Sequence, residues 1–313
     1  MRKNAWKKAL LLALLCGLTA ALLSGCGGVL PENDTFFTGE AYPDAEKYQP
    51  GAFSYSAAGI KAVEIYWRSG EVEIIESESA VLRAEESGGS LPQSAALHSL
   101  SEDGVLKIRF CASGAKIQVR STDKRLRLEV PKGIELSIHT TSARLHAEGL
   151  EQKSVLIAAF SGSTTLGTVA AESVDLSSSS GRIEASGVFA QSLRCSASSG
   201  CIQLDAVAAK QIACTATSGD VKLSGVVSDA LEISTSSGCV ELAFIQAPSA
   251  VVRTSSGTVR AALPQGGAEV SFVSGSGSLR ASRAYTRKGD LYVFGEGENG
   301  LAVQTSSGNL EIQ

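Results

Sequence analysis

From residue 134 onward, apolar residues come in pairs two positions apart on either side of a Ser-Gly step, and the arrangement recurs every nineteen residues. The glycine position is held by Ala143, Gly162, Gly181, Gly200, Gly219, Gly238 and Gly257, with a slipped copy at Ser276-Gly277 and a late one at Gly308. Seven and five residues before it stand pairs such as Val174 and Leu176, or Leu231 and Ile233. Two and four residues after it stand Ile183 and Ala185, or Val240 and Leu242. A period of two marks a strand with one buried face, so each unit reads as strand, Ser-Gly turn, strand, second turn. One such unit cannot bury its own apolar face. Stacked copies can, because equivalent positions then lie about 4.8 Å apart in continuous columns. The pattern predicts an all-β chain: an elongated β-solenoid of stacked coils of about nineteen residues.

The turn glycines are expected to supply backbone with φ above zero, which other residues adopt only with strain. Residues 52–133 are also strand-like, as in Val63-Glu64-Ile65-Tyr66-Trp67, but lack the nineteen-residue phase, and are read as irregular early coils or a small cap. The division is then 1–25 leader, 26–51 lipidated cysteine and tether, 52–133 irregular β region, and 134–313 regular repeats.

The amino terminus alters the expected address. Arg2, Lys3, Lys7 and Lys8 precede an apolar stretch from Ala9 to Leu23, too short to span a bilayer comfortably, which runs into Leu23-Ser24-Gly25-Cys26. That sequence resembles a bacterial lipobox, implying cleavage before Cys26 and lipid attachment to its thiol. Cleavage would lower Lys+Arg from 28 to 24 against 32 Asp+Glu, so the net charge would move from −4 to −8. Such a balance argues against nucleic acid as a partner and leaves the lipid as the membrane contact. The expected location is extracytoplasmic, anchored to the bacterial membrane.

Candidate chemistry is sparse. The outward positions carry no carboxylate cluster of the kind sugar-cleaving β-helices use, no G-x-S-x-G elbow and no phosphate loop, and the cysteines lack zinc spacing. The expectation is a protein that is not an enzyme, with no catalytic residues, cofactor or metal. Cys195 and Cys214 fall at the same inward position of adjacent coils, where they are either packed thiols or a disulfide. One outward surface stands out. Ser177 and Ser179, Ser196 and Ser198, Thr215 and Thr217, and Ser234 and Ser236 should stack into a double column of hydroxyls. This is a candidate docking face for sugar chains, or simply a solvated strand surface.

Trp67-x-Ser69-Gly70-x-Val72, the Leu128-Glu129-Val130-Pro131 step, the Thr-Ser-Ser-Gly repeats and the closing Gln304-Thr305-Ser306-Ser307-Gly308-Asn309-Leu310 together resemble the DUF4097 family over residues 50–313. The resemblance implies a β-solenoid, an adhesin-like label and, in some members, a link to envelope stress; it transfers no catalytic residue. The expected function is a lipid-anchored, non-catalytic binding or scaffold module at the cell envelope, with cell-wall glycan or an envelope protein as partner. Alternatives are a self-assembling structural polymer and, behind it, a polysaccharide-active enzyme.

Overall fold

The structure, a computed structural model, describes residues 37–88, 91–117 and 124–313. The leader and lipobox, including Cys26, lie outside the described residues. Apart from two single-turn 3₁₀ helices at Ala45–Lys47 and Gln93–Ala95, the described elements are strands.

The strands stack into parallel ladders in the register that the repeat dictates. In the first ladder Leu136 pairs with Val155, Val155 with Val174, Val174 with Leu193, and so on through Leu231 and Ala250. In the second, Leu145 is followed by Thr164, Ile183, Ile202, Val221, Val240 and Val259. The residues at these positions are buried, so the alternation read from the sequence is the alternation of inside and outside. A third short ladder, not separated in the sequence pattern, runs through Leu150, Val169 and Val188, with Val207 and Val226 in the same phase just before the later strands, all five buried. It turns each coil into three faces around one core.

The glycines are explained differently from the sequence expectation. None of Gly162, Gly181, Gly200, Gly219, Gly238, Gly257 or Gly308 has φ in the left-handed region. They do lie in bends between strands. What excludes a side chain is stacking. A Cβ on each would fall well inside 3.0 Å of the carbonyl oxygen of the same position one coil earlier, closer than real Cβ atoms approach. Gly is needed for close approach of backbone to backbone. The exception sits on a different neighbour: Ala143 stacks on Gly70, which does have a left-handed φ of 85° and whose carbonyl accepts the Arg144 N–H at 2.9 Å.

Left-handed backbone is needed instead six residues after the Ser-Gly step. Gly149, Thr168, Gly187, Ala206, Gly225 and Phe244 form a nineteen-residue column with φ between 28° and 66°. Glycine holds only every other coil of it. The non-glycine members should carry strain of about 1–2 kcal/mol each, offset in part by the greater freedom glycine has when unfolded. Ala206→Gly is therefore expected to stabilise the protein by about 0.5–1 kcal/mol, seen as a higher Tm in a thermal melt. An unchanged or lower Tm would show that the coil adapts to alanine without strain.

Both ends depart from chain order. Residues 62–76 are in register with the regular coils, Val63 beside Leu136 and Val72 beside Leu145, yet the strands Val105–Arg109 and Arg125–Val130 stack on their far side. The chain thus steps outward by one coil and returns past it. The other end does the same. Leu301 pairs with both Ala250 and Val270, and Leu310 with both Val259 and Leu279, so the late copy at Gly308 slots between the regular stack and the slipped copy at Gly277. Antiparallel strands then close both ladders at one end, with Val81–Ser87 and His98–Glu102, and the first ladder at the other, with Leu291–Gly295 and Thr286–Lys288, while the second stops there at the three-residue strand Leu279–Ala281. Such caps occupy edges that a bare parallel ladder would offer to another chain. The stretch read as a tether is partly structural. Gln49–Pro50 pairs with the cap strand at Ser99 and His98, and Tyr42 bonds the Cys111 carbonyl through its hydroxyl at 3.0 Å.

Candidate binding surfaces

The hydroxyl columns lie where the repeat puts them. Ser177, Ser196, Thr215 and Ser234 are direct partners along the first ladder. Ser179, Ser198, Thr217 and Ser236 follow at the strand ends, and each donates its backbone N–H to the preceding coil at 3.1–3.3 Å. All eight side chains are exposed or half-buried. Ser177 donates to the Ile157 carbonyl at 3.3 Å, whereas the other seven hydroxyls have no partner among the described residues. The backbone is fixed by the ladder, so the hydroxyls form a preset array whose hydrogen-bonding capacity faces water.

Followed toward the amino-terminal end, these columns change character. The inner one continues through Ala158, His139 and Tyr66 to Arg109, and the outer one through Phe160 and Thr141 to Arg68. Phe160 is 62% exposed. Beyond it the side chains of Tyr42, Tyr66, Trp67, Arg109, His139 and Thr140 line a cavity of about 160 Å³. His139 stacks on Tyr66 with ring centres 4.9 Å apart, and the Arg109 guanidinium lies 3.8 Å over the other face of Tyr66 and 5.0 Å from Tyr42. Burial, with a smaller contribution from nearby Cys111, pushes the Tyr42 hydroxyl up to about 12, so it stays protonated as a donor. The sequence reading missed this cluster. The available signal was a local one: Tyr66 and Trp67 stand together in a chain with only 5% aromatic residues.

The remaining candidates are inert. Cys195 and Cys214 are buried neighbours and free thiols, with no bridge between them. The Cys214 thiol, as a hydrogen-bond partner, and burial both raise the pKa of Cys195, which keeps it protonated. On the second face Cys201, Asp220 and Cys239 share an outward column. Asp220 accepts the Cys239 N–H of the next coil at 2.8 Å, and among the described residues no group of His, Cys, Asp and Glu is placed to hold a metal. The neighbouring outward column is an ion-pair ladder, with Lys222 to Glu241 at 3.1 Å and Arg260 to Glu311 at 3.0 Å. Its exposed pairs each add little stability.

The Toastrack DUF4097 profile matches residues 60–313. The chain belongs to that family. The match takes in both out-of-order ends and begins ten residues later than the resemblance read from the motifs. No curated protein is detectably similar to this DUF4097 chain in sequence. Among solved structures it resembles a Parabacteroides distasonis protein named provisionally as a lipid-binding protein, at 15% identity and a TM-score of 0.50, over 84% of this chain and 97% of that one. A second protein of that organism, named provisionally as an adhesin, matches at 17% identity and a TM-score of 0.47 over 85% of this chain and 97% of the other. A Bacteroides fragilis protein with the same kind of name matches at 11% and 0.39, over 84% and 96%. The match at a TM-score of 0.50 establishes a shared fold and, at 15% identity, nothing finer.

Proposed function

We propose that this DUF4097 protein is a non-catalytic binding module of the bacterial envelope that docks a cell-wall polysaccharide along its hydroxyl columns, held to the membrane by lipid on Cys26. The observation that carries the reading is the preset double column of exposed hydroxyls, seven of the eight uncommitted. A sugar polymer presents hydroxyls at regular intervals, and a rigid array can exchange hydrogen bonds with several successive units at little ordering cost to the protein. The provisional names of the structural relatives, adhesin and lipid-binding protein, are compatible with a binding role. The lipobox supports an extracytoplasmic address, and the acidic balance disfavours nucleic acid.

The test is co-sedimentation of the chain with purified cell-wall sacculi. The protein should pellet, and replacing Ser196, Thr215 and Ser234 by Ala should release it without lowering Tm, because exposed serines and threonines contribute little to stability. Pelleting that survives the triple substitution would remove the hydroxyl face from the account. The rival reading, end-to-end assembly into a polymer, is disfavoured by the antiparallel caps, which leave only the three-residue strand Leu279–Ala281 as an open end of the two main ladders among the described residues. Light scattering that grows with protein concentration would reinstate it.

A further inference from the structure

We infer that the cavity at the amino-terminal end of the hydroxyl face is a carboxylate-binding pocket, and that it takes an acidic sugar. The inference deepens the polysaccharide reading and rests on it only for the polymer; the pocket's chemistry stands on its own residues.

Three residues that line the cavity each carry a buried polar atom with no partner among the described residues: Trp67 Nε1, Thr140 Oγ1 and Arg109 Nε. Trp67 is 1% exposed and Thr140 7%. Burying such groups unpaired is costly, so each calls for a partner that the described residues do not supply. Thr140 is informative by contrast with its equivalents. At the same position of other coils Thr235, Thr254 and Thr305 accept the N–H of the turn glycine three residues on, at 2.7–3.1 Å. The Thr140 hydroxyl makes no such bond. Ser178 is also unpartnered, so the missing turn bond alone says little; what sets Thr140 apart is its place on the cavity wall beside two other unsatisfied groups.

Arg109 and Arg68 line the cavity against a single carboxylate, the exposed Glu40, which leaves its wall net positive. The Arg109 guanidinium is held between the rings of Tyr66 and Tyr42, and it forms no ion pair among the described residues. A guanidinium fixed in this way keeps its N–H edge available, and that edge matches a carboxylate with two parallel hydrogen bonds. Trp67 Nε1 can only donate and Thr140 Oγ1 can do either, which suits the ether and hydroxyl oxygens of a sugar ring. A cavity of about 160 Å³ has room for a carboxylate and much of the ring that carries it. The location agrees: the columns that carry the hydroxyls reach the pocket wall at His139 and Thr141, one coil past Ala158 and Phe160. A polymer lying on the face would therefore place an acidic residue or end group over Arg109.

The chain has two tryptophans, Trp6 and Trp67. A full-length Trp6→Phe protein makes Trp67 the sole indole emitter and a reporter in the pocket itself. It should be titrated with D-glucuronate, D-glucose and inorganic phosphate, following fluorescence and heat. Saturable binding of glucuronate, with little response to the other two, is expected. Arg109→Gln should weaken that binding about tenfold or more, as loss of a charge-assisted pair requires. Arg109→Lys should recover only part of it, because lysine keeps the charge and loses the fork. If Arg109→Gln does not fold, Thr140→Val decides the matter. It is isosteric, satisfies no polar group in the free protein, and should weaken glucuronate without lowering Tm. Glucose or phosphate binding as well as glucuronate, or glucuronate binding unmoved by both Arg109→Gln and Thr140→Val, would overturn the assignment. Glucuronate binding without pelleting on sacculi would keep the pocket and drop the polymer reading; pelleting without glucuronate binding would do the reverse.

Discussion

Gly219→Ala should destabilise the protein by about 3 kcal/mol or more, although alanine is the smallest possible addition and the site has no left-handed backbone. The new methyl would be driven into the carbonyl oxygen of Gly200, which lies in the equivalent bend one coil earlier and is held there by the paired strands Ile183–Ala197 and Ile202–Asp205 on either side of it. The strain would also pass along the stack, because Gly238 approaches the Gly219 carbonyl in the same way. The matched control is Gly225→Ala. That residue does have φ of 61°, but an added Cβ would meet nothing nearer than 3.7 Å. Its cost should be about 1 kcal/mol, the price of left-handed alanine less the entropy gained. Chemical denaturation of the two variants beside the parent separates the two uses of glycine. Equal losses would mean that conformation, not approach, governs the Ser-Gly column.

That contrast shows what kind of information the repeat carried. Side-chain periodicity fixes which residues face inward, so the paired apolar columns and their nineteen-residue register were legible, as was the outward double column of hydroxyls. The role of the glycines was not, because the reason lies between coils. A single coil gives no hint that the glycine position lies against the carbonyl of the coil before it. The true left-handed column was visible in half of its members, Gly149, Gly187 and Gly225, at twice the repeat length. Thr168, Ala206 and Phe244 hid it, since composition does not reveal a strained φ. The out-of-order ends were unreadable for a related reason. Residues 62–76 and 301–312 obey the coil pattern, but the pattern does not say which neighbour each coil takes. The cavity escaped because Arg109, Tyr66 and His139 are drawn from three coils that lie far apart in sequence and become adjacent only through that reordering.

The amino-terminal cap offers the other large effect. Arg125 pairs with Glu71, so Lys124 occupies the register of Gly70, the turn-glycine column. A side chain is allowed there because this is the outermost parallel coil, with no further glycine carbonyl for a Cβ to strike. Lys124 is fully buried, and its ammonium lies 2.7 Å from Glu86, donates to the carbonyls of Ala95 and Phe110, and sits 4.1 Å over the Phe110 ring. Glu86 in turn accepts the Leu97 N–H at 2.9 Å. The pair ties three separate cap segments to the end of the solenoid. Lys124→Met would leave the Glu86 charge buried and unpaired, and should cost about 3–5 kcal/mol. Lys124→Met with Glu86→Leu removes both charges and should recover a large part of that loss, leaving the deficit of the two abandoned carbonyls. The pH dependence follows from the direction of the shift. Burial lowers the Lys124 pKa below its usual 10.5, against the opposing pull of Glu86. Between the lowered folded value and 10.5 the unfolded chain holds more protons on this group, so its contribution to stability rises with pH across that window, and below it the burial cost is present in full. Denaturation of parent and Lys124→Met chains from pH 7 to 10.5 should therefore show the gap between them widening toward alkaline pH. A gap that narrows would mean that the attraction to Glu86 outweighs burial, and that the lysine holds its proton more tightly in the cap than in water.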